Sequence, residues 1–434
     1  MTDTGSRTDP DVVDVVALGE SMVTFLPTRT GRLADVPSFD RAIGGAESNV
    51  VCVLAAAGHA TRWVSRVGAD GFGDHLVAAI GEYGVDVASV RRDPARPTGI
   101  YFRTAGDRAG DDHEVAYYRA GSAASAMTVD NVDPAALRAA RVLHLSGITA
   151  ALSGGCLDLL RALTASRPGR RPLVSFDVNF RPGLWRDAAA PRVLLDLARG
   201  CDLVFVGADE AEAAWGVTAD PDAIRALLPE PRVLVVKEGA RGATVFERTA
   251  AGAAGAANGA DAAGVANGAD AAGVANGADA AGVANGADVA NGAGGVGDTG
   301  GVPGVDGAGD VWDAAGPAWD GPGRAGAAPG LGPDTRTSVP ALCVDVVAPV
   351  GAGDAFAAGF LSATLRGLPV RDRIRSGHLM AAAALTVPGD LAVPPSRDHA
   401  DRLLALDDAA WGRLRLGPGW THAAGRADEE VPTP

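Results

Sequence analysis

Hydrophobic positions fall into two spacings along this chain. From about residue 12 to 246, short apolar runs alternate with longer Ala/Leu-rich stretches. Residues 13–18, 61–67, 142–145, 173–178, 203–206 and 233–236 are continuous runs rich in Val and Leu, which predicts strands buried on both faces. Residues 48–57, 73–83, 134–140, 157–166, 192–198, 209–215 and 222–228 space their apolar positions as helices do. Strand and helix in alternation predict an α/β fold with a mostly parallel central sheet covered by helices. A second pattern interrupts the first. Residues 21–26, 37–42, 99–104 and 114–119 mix apolar with polar positions, which predicts hairpin strands with polar faces in a small sheet beside the main domain.

The patterning stops at about residue 249. Asn258, Asn267, Asn276 and Asn285 mark a nine-residue repeat of the form ANGADAAGV, followed by an irregular Gly/Pro/Asp-rich stretch to 333. This composition lacks the bulky apolar residues that offset ordering entropy, so a disordered insert is expected. A calcium-binding roll would need paired glycines in a GGxGxD pattern, which the repeat lacks. Before the insert, residues 237–242 read as a loop and 243–246 as a strand; after it, 341–347 read as a strand. Removing the insert therefore leaves a hairpin, and the insert is expected to grow from a surface turn. The organisation read here is a tail over 1–11, a first part over 12–248, the insert over 249–333, a second part over 334–416 and a tail over 417–434.

A formal net charge of −15 argues against a nucleic-acid or anionic-membrane partner. Lys237 is the only lysine, so arginine carries nearly all the positive charge. Cys52, Cys156, Cys201 and Cys343 show no metal or redox spacing, which fits a reducing cytosol. The first residues are polar and acidic, unlike a signal peptide, and no run has the length of a membrane helix. A cytoplasmic protein is expected.

Gly351-Ala352-Gly353-Asp354 carries the chemistry most directly. It lies between an apolar run and the helical pattern of 355–361, so backbone N–H groups and the positive end of a helix dipole converge there. Small residues let a phosphate approach those amides. Asp354 would repel a phosphate, but it suits removal of a proton from a hydroxyl that attacks one. The alternative is that Asp354 only caps the helix.

Gly44-Gly45-Ala46-Glu47-Ser48-Asn49 opens a helical run, Arg66-Val67-Gly68-Ala69-Asp70-Gly71-Phe72-Gly73 follows it, and the Gly-Ala-Gly-Asp turn comes last. In this order the motifs resemble the ribokinase (pfkB-type) family of carbohydrate kinases. Tyr117-Tyr118-Arg119-Ala120-Gly121-Ser122-Ala123, His144-Leu145-Ser146-Gly147-Ile148-Thr149 and Asp177-Val178-Asn179-Phe180-Arg181-Pro182-Gly183-Leu184-Trp185 narrow the resemblance to 2-keto-3-deoxygluconate kinases. The resemblance implies a Rossmann-like sandwich with a small β-sheet lid. It also implies transfer of phosphate from Mg2+-ATP to the 6-hydroxyl of a sugar acid, with Asp354 as general base.

Carried across, Gly45 and Asn49 would hold the substrate from below, and Tyr101, Tyr118 and Arg119 from the lid. Asp390 would hold its far side, and Arg181 would sit between substrate and nucleotide. Asn179, Lys237, Gly239, Arg241, Gly242 and His378 would line the ATP side, with Gly351, Ala352 and Gly353 at the phosphates. Metal ligands are not assigned, and lid strands imply a homo-oligomer. Each has a structural alternative: salt bridges for Arg119 and Arg181, packing for Tyr101 and Tyr118, a solvent-facing strand end for Lys237. Two departures stand out. Ala348 replaces the acidic residue that usually begins the turn, and His378 replaces a frequent Asn. Fructokinase, ribokinase, a 2-keto-3-deoxygalactonate kinase or a sugar-acid-binding regulator are the competing readings.

Overall fold

The computed structural model describes residues 12–29, 31–104, 114–165, 172–185, 189–248 and 333–422. The strands are β1 (Val13–Leu18), β2 (Met22–Pro27), β3 (Phe39–Gly44), β4 (Thr61–Gly68), β5 (Val90–Asp93), β6 (Ile100–Arg103) and β7 (Val115–Tyr118). They continue as β8 (Ala140–Ser146), β9 (Leu173–Asp177), β10 (Leu203–Gly207), β11 (Val233–Lys237), β12 (Ala243–Arg248) and β13 (Asp334–Val339).

Among the described residues, nine strands form one sheet in the order β13-β12-β11-β10-β9-β8-β1-β4-β5. Every pairing is parallel except those of β11 with β12 and β12 with β13. Side chains alternate across it. Val15, Ala17 and Phe205 enter one buried cluster, whereas Val16, Leu18, Val204 and Val206 enter the other. The first cluster packs against the helices Ala46–Ala56, Ala352–Leu365 and Val370–Leu385, the second against Gly154–Thr164 and Ala190–Arg199. Burial of the strands on both faces explains their continuous apolar runs.

The Ala352–Leu365 helix is buried from Ala355 to Leu365 without interruption, as an all-round apolar helix must be. It lies close to Val370–Leu385: a Cβ on Gly359 would fall 2.4 Å from the Ser376 carbonyl oxygen. A second sheet of four strands, in the order β3-β2-β6-β7, stands apart from the main one. It contains all four segments predicted from mixed polarity.

Three differences from the sequence reading have physical causes. The strand predicted over 341–347 shrinks to Cys343–Val344, paired with Arg415–Leu416, and Val347 is 40% exposed. The strand that joins the sheet is instead β13, a polar edge strand whose Thr, Arg and Ser positions hid it. Packing also runs past residue 416, since Trp420 is buried against His399. The tail over 1–11 and all but the last residue of the insert over 249–333 lie outside the described residues.

β12 and β13 pair antiparallel with Arg248 opposite Asp334. Arg225 secures that end with two bonds to the Asp334 carboxylate, each 2.7 Å. The hairpin ends already meet, so replacing residues 249–333 by an Asn-Gly turn is expected to shift Tm by no more than about 4 °C. Thermal denaturation followed by circular dichroism checks this; a chain that no longer folds would show that the segment supports the sheet.

Candidate active site

The strand ends and two helix starts make the site. Parallel strands place Asp177, Gly207 and Lys237 at the carboxyl ends of β9, β10 and β11, where open α/β sheets bind ligands. Gly351 caps the Ala352–Leu365 helix at φ +77° with no side-chain bond. Only glycine fits: a Cβ there would lie 2.2 Å from the Asp390 carbonyl oxygen. The first-turn amides of this helix therefore face the cleft without a capping side chain.

Asp354 sits in that first turn and makes no capping bond, which removes the cap as its explanation. It is half-buried, and Asn49 Nδ2 donates to its Oδ2 at 2.9 Å. Burial pushes its carboxyl up to about 7, with Asp177 and Asp390 adding to the rise and Asn49 and Lys237 opposing it. A carboxylate poised near neutrality is suited to general-base work.

Lys237 lies beside the turn; a Cβ on Gly353 would be 3.6 Å from its Nζ. That Nζ donates to both oxygens of Asp177, at 3.1 and 2.8 Å. Burial lifts the Asp177 carboxyl, while the charges of Asp177 and Glu210 outweigh burial at Lys237 and keep its ammonium protonated. Arg181 Nη1 donates to Glu210 Oε1 at 3.0 Å, with its side chain 53% exposed toward solvent. Glu210 Oε2 accepts from the Gly207 amide at 2.9 Å. Asn179 holds φ +44°, the one non-glycine residue with positive φ among those described, and it is buried; such strain gathers at functional sites. Gly239 and Gly242 also have positive φ, and Arg241 is exposed within 3.9 Å of Glu238.

On the opposite side Gly45 passes under the chain: a Cβ would fall 2.5 Å from the Glu20 carbonyl oxygen. Tyr101 is buried and its hydroxyl donates to Asp390 Oδ2 at 3.0 Å. Arg119 Nε donates to Glu20 Oε2 at 2.7 Å. The structure thus joins Asn49 to Asp354, Lys237 to the neighbourhood of Gly353, and Tyr101 to Asp390 and through it to Gly351. It does not bring in two others. Tyr118 is 64% exposed, edge-on to Phe102. His378 is buried, bonded through Nε2 to the Val339 carbonyl at 3.2 Å, and pushed down to about 4 by burial. Ala348 is buried.

Sequence reasoning passed over Glu20, Glu47, Arg103, Asp177 and Glu210. Asp177 and Glu210 had a signal, since Asp177 is the one acidic residue in the run 173–178 and Glu210 follows closely after the run 203–206. Glu47, between the glycine pair and Asn49, had none. It is fully buried and accepts from Thr149 Oγ1 at 2.5 Å, and burial pushes it up to about 8.

Among the described residues no three His, Cys, Asp or Glu side chains group to hold a metal. Mg2+ keeps several waters and is bound through one or two carboxylates plus substrate phosphates, so it does not require such a cluster. Asp177 and Glu210 are the carboxylates at the carboxyl ends of β9 and β10, bonded to Lys237 and to the Gly207 amide.

The pfkB family carbohydrate kinase model matches residues 13–264 and 327–397. A 2-dehydro-3-deoxygluconokinase of Thermoproteus tenax is 35% identical over 238 residues, 54% of this chain and 72% of the relative. One of Bacillus subtilis is 36% identical over 206 residues, 47% of this chain and 63% of the relative. Fructokinase-1 of Zea mays is 31% identical over 243 residues, 55% and 74% of the two chains. The crystal structure of a Thermotoga maritima 2-dehydro-3-deoxygluconokinase shares the fold, with TM-score 0.62, 21% identity, and 91% of this chain and 99% of that one covered.

Proposed function

The chain belongs to the pfkB family of carbohydrate kinases, and from that premise we propose that it phosphorylates the 6-hydroxyl of 2-keto-3-deoxygluconate (2-dehydro-3-deoxygluconate). The observation that carries the mechanism is Asp354: half-buried, bonded to Asn49, and set one residue past the open amides of a glycine turn. Bound ATP would lie with its phosphates over Gly351, Ala352 and Gly353, and Lys237 would face the terminal one. Asp354 takes the proton as the sugar oxygen bonds to the γ-phosphorus. The bond from that phosphorus to the β,γ-bridging oxygen breaks and ADP leaves. The amides and Lys237 hold the charge on the transferring group. Mg2+ on the phosphates supplies further charge neutralisation.

Two relatives at 35–36% identity support the sugar-acid assignment. A neutral ketose is the second reading, and one observation favours it. Glu20 already neutralises Arg119, so that guanidinium does not require a carboxylate on the substrate. A coupled ADP-release assay across 2-keto-3-deoxygluconate, its galacto epimer, fructose and ribose decides between them. The sugar acid is expected to give the highest kcat/KM; faster turnover of fructose or ribose would overturn the assignment.

The base must be ionised to work. With its carboxyl raised to about 7, kcat/KM is expected to climb with pH and level off above about 7. A profile flat between about pH 5 and 8 would remove Asp354 from the rate equation.

A further inference from the structure

Asp390 is where three parts of the cleft meet. From the small sheet, Tyr101 donates to its Oδ2 at 3.0 Å and Arg103 Nη2 to its Oδ1 at 3.1 Å. The same Nη2 donates to the Pro388 carbonyl at 2.9 Å, which ties the loop carrying Asp390 to β6. From the floor, a Cβ on Gly44 would fall 2.7 Å from Asp390 Oδ2. From the phosphate turn, Gly351 lies against the Asp390 backbone. We propose that Arg103 is a positioning residue that acts through Asp390, holding its carboxylate in the one orientation that can accept hydroxyls of the bound sugar.

The arithmetic of lone pairs supports this. A carboxylate has about four acceptor sites; Arg103 and Tyr101 take one on each oxygen, which leaves one on each for the substrate. Asp390 is 8% exposed and Arg103 3% exposed, so water does little to replace a lost partner. Without the guanidinium, the buried carboxyl has no cation bonded to it, and burial already raises it. The Oδ1 oxygen would lose its fixed donor, and the plane of the carboxylate would be held by Tyr101 alone.

Stability alone does not account for the arrangement. Arg103 Nε is buried with no hydrogen-bond partner among the described residues, and a buried ion pair is commonly replaceable by apolar residues without loss of stability. A guanidinium with a wasted donor is better explained by what it holds in place.

The proposal rests on the phosphoryl-transfer reading of the cleft, but not on which sugar is used. Its test is a double-mutant cycle with Arg103→Gln and Asp390→Asn, run on whichever acceptor of the panel the wild-type protein turns over fastest. Failure of the sugar-acid assignment would show in that choice, before any variant is made. Arg103→Gln is expected to raise the acceptor KM about 10- to 100-fold and to leave the ATP KM unchanged. Asp390→Asn with Arg103→Gln together should be no worse than Asp390→Asn alone, because the effect passes through one carboxylate. Arg103→Lys keeps the charge and should recover part of the loss; it also completes the cycle if the Gln variant does not fold. Additive costs in the double variant, or acceptor and ATP KM rising together, would overturn the proposal.

Discussion

Asp354→Asn is expected to lower kcat by about a thousandfold while leaving the protein at least as stable as the wild type at neutral pH. The first half follows from chemistry. An amide keeps the shape and can still accept from Asn49 Nδ2, which now donates to Oδ2 at 2.9 Å, but it cannot take the hydroxyl proton. The second half follows from linkage. The Asp354 carboxyl has an ordinary value of 3.8 and is raised to about 7 in the fold. A raised folded-state value means the group's stability is fully present below 3.8 and is lost as pH rises through about 7. Above that range the wild-type protein bears the whole cost of a buried carboxylate, and the Asn variant bears none. The Tm difference, variant minus wild type, should therefore grow between about pH 4 and 7 and then flatten. Near-normal turnover would end the general-base assignment. A variant less stable at every pH would instead mean that Asp354 is there to support the helix.

Local pattern revealed the scaffold because burial on two faces writes a continuous apolar run, as in residues 203–206 and 233–236. It revealed the glycine turn for the same reason, since close backbone approach admits few residue types. Partnerships across the fold left no such trace. Asn49 and Asp354 are 305 positions apart, and Arg103 and Asp390 are 287 apart. Arg103 on a strand of mixed polarity reads as a solvated charge; only the folded chain shows that its face is closed by the loop at Pro388. Arg119 was legible as a site candidate, whereas Glu20, which engages it, stands in a short turn between β1 and β2 with nothing to distinguish it. β13 was hidden because an edge strand needs little apolar surface, and 341–347 misled because Val346 and Val347 continue a run that the fold leaves partly exposed.

Gly351 and Gly353 separate two reasons for a glycine, and their alanine variants should fail differently. At Gly351 both steric terms act together. The residue holds φ +77°, and a Cβ would meet Asp390 at 2.2 Å from its carbonyl oxygen and 2.9 Å from its carbonyl carbon. The left-handed conformation costs alanine about 1–2 kcal/mol, and the clash with backbone forces the turn or the 388–390 loop to move. Gly351→Ala is therefore expected to lower both Tm and kcat/KM, the latter by about a thousandfold, since an ångström of misplacement alone costs about a hundredfold. Gly353 is different. It is exposed, helical and free of backbone neighbours, with Lys237 Nζ the nearest atom at 3.6 Å. Alanine favours a helix over glycine by about 1 kcal/mol, so Gly353→Ala should leave Tm unchanged or raise it. Its methyl group would nevertheless lie 3.6 Å from Lys237 Nζ, in the space where the proposed mechanism puts the terminal phosphate. A stable variant whose ATP KM rises about tenfold or more would locate the phosphate by exclusion. A stable variant with unaltered ATP KM would mean that the nucleotide enters elsewhere, and that the amides of this turn serve only the fold.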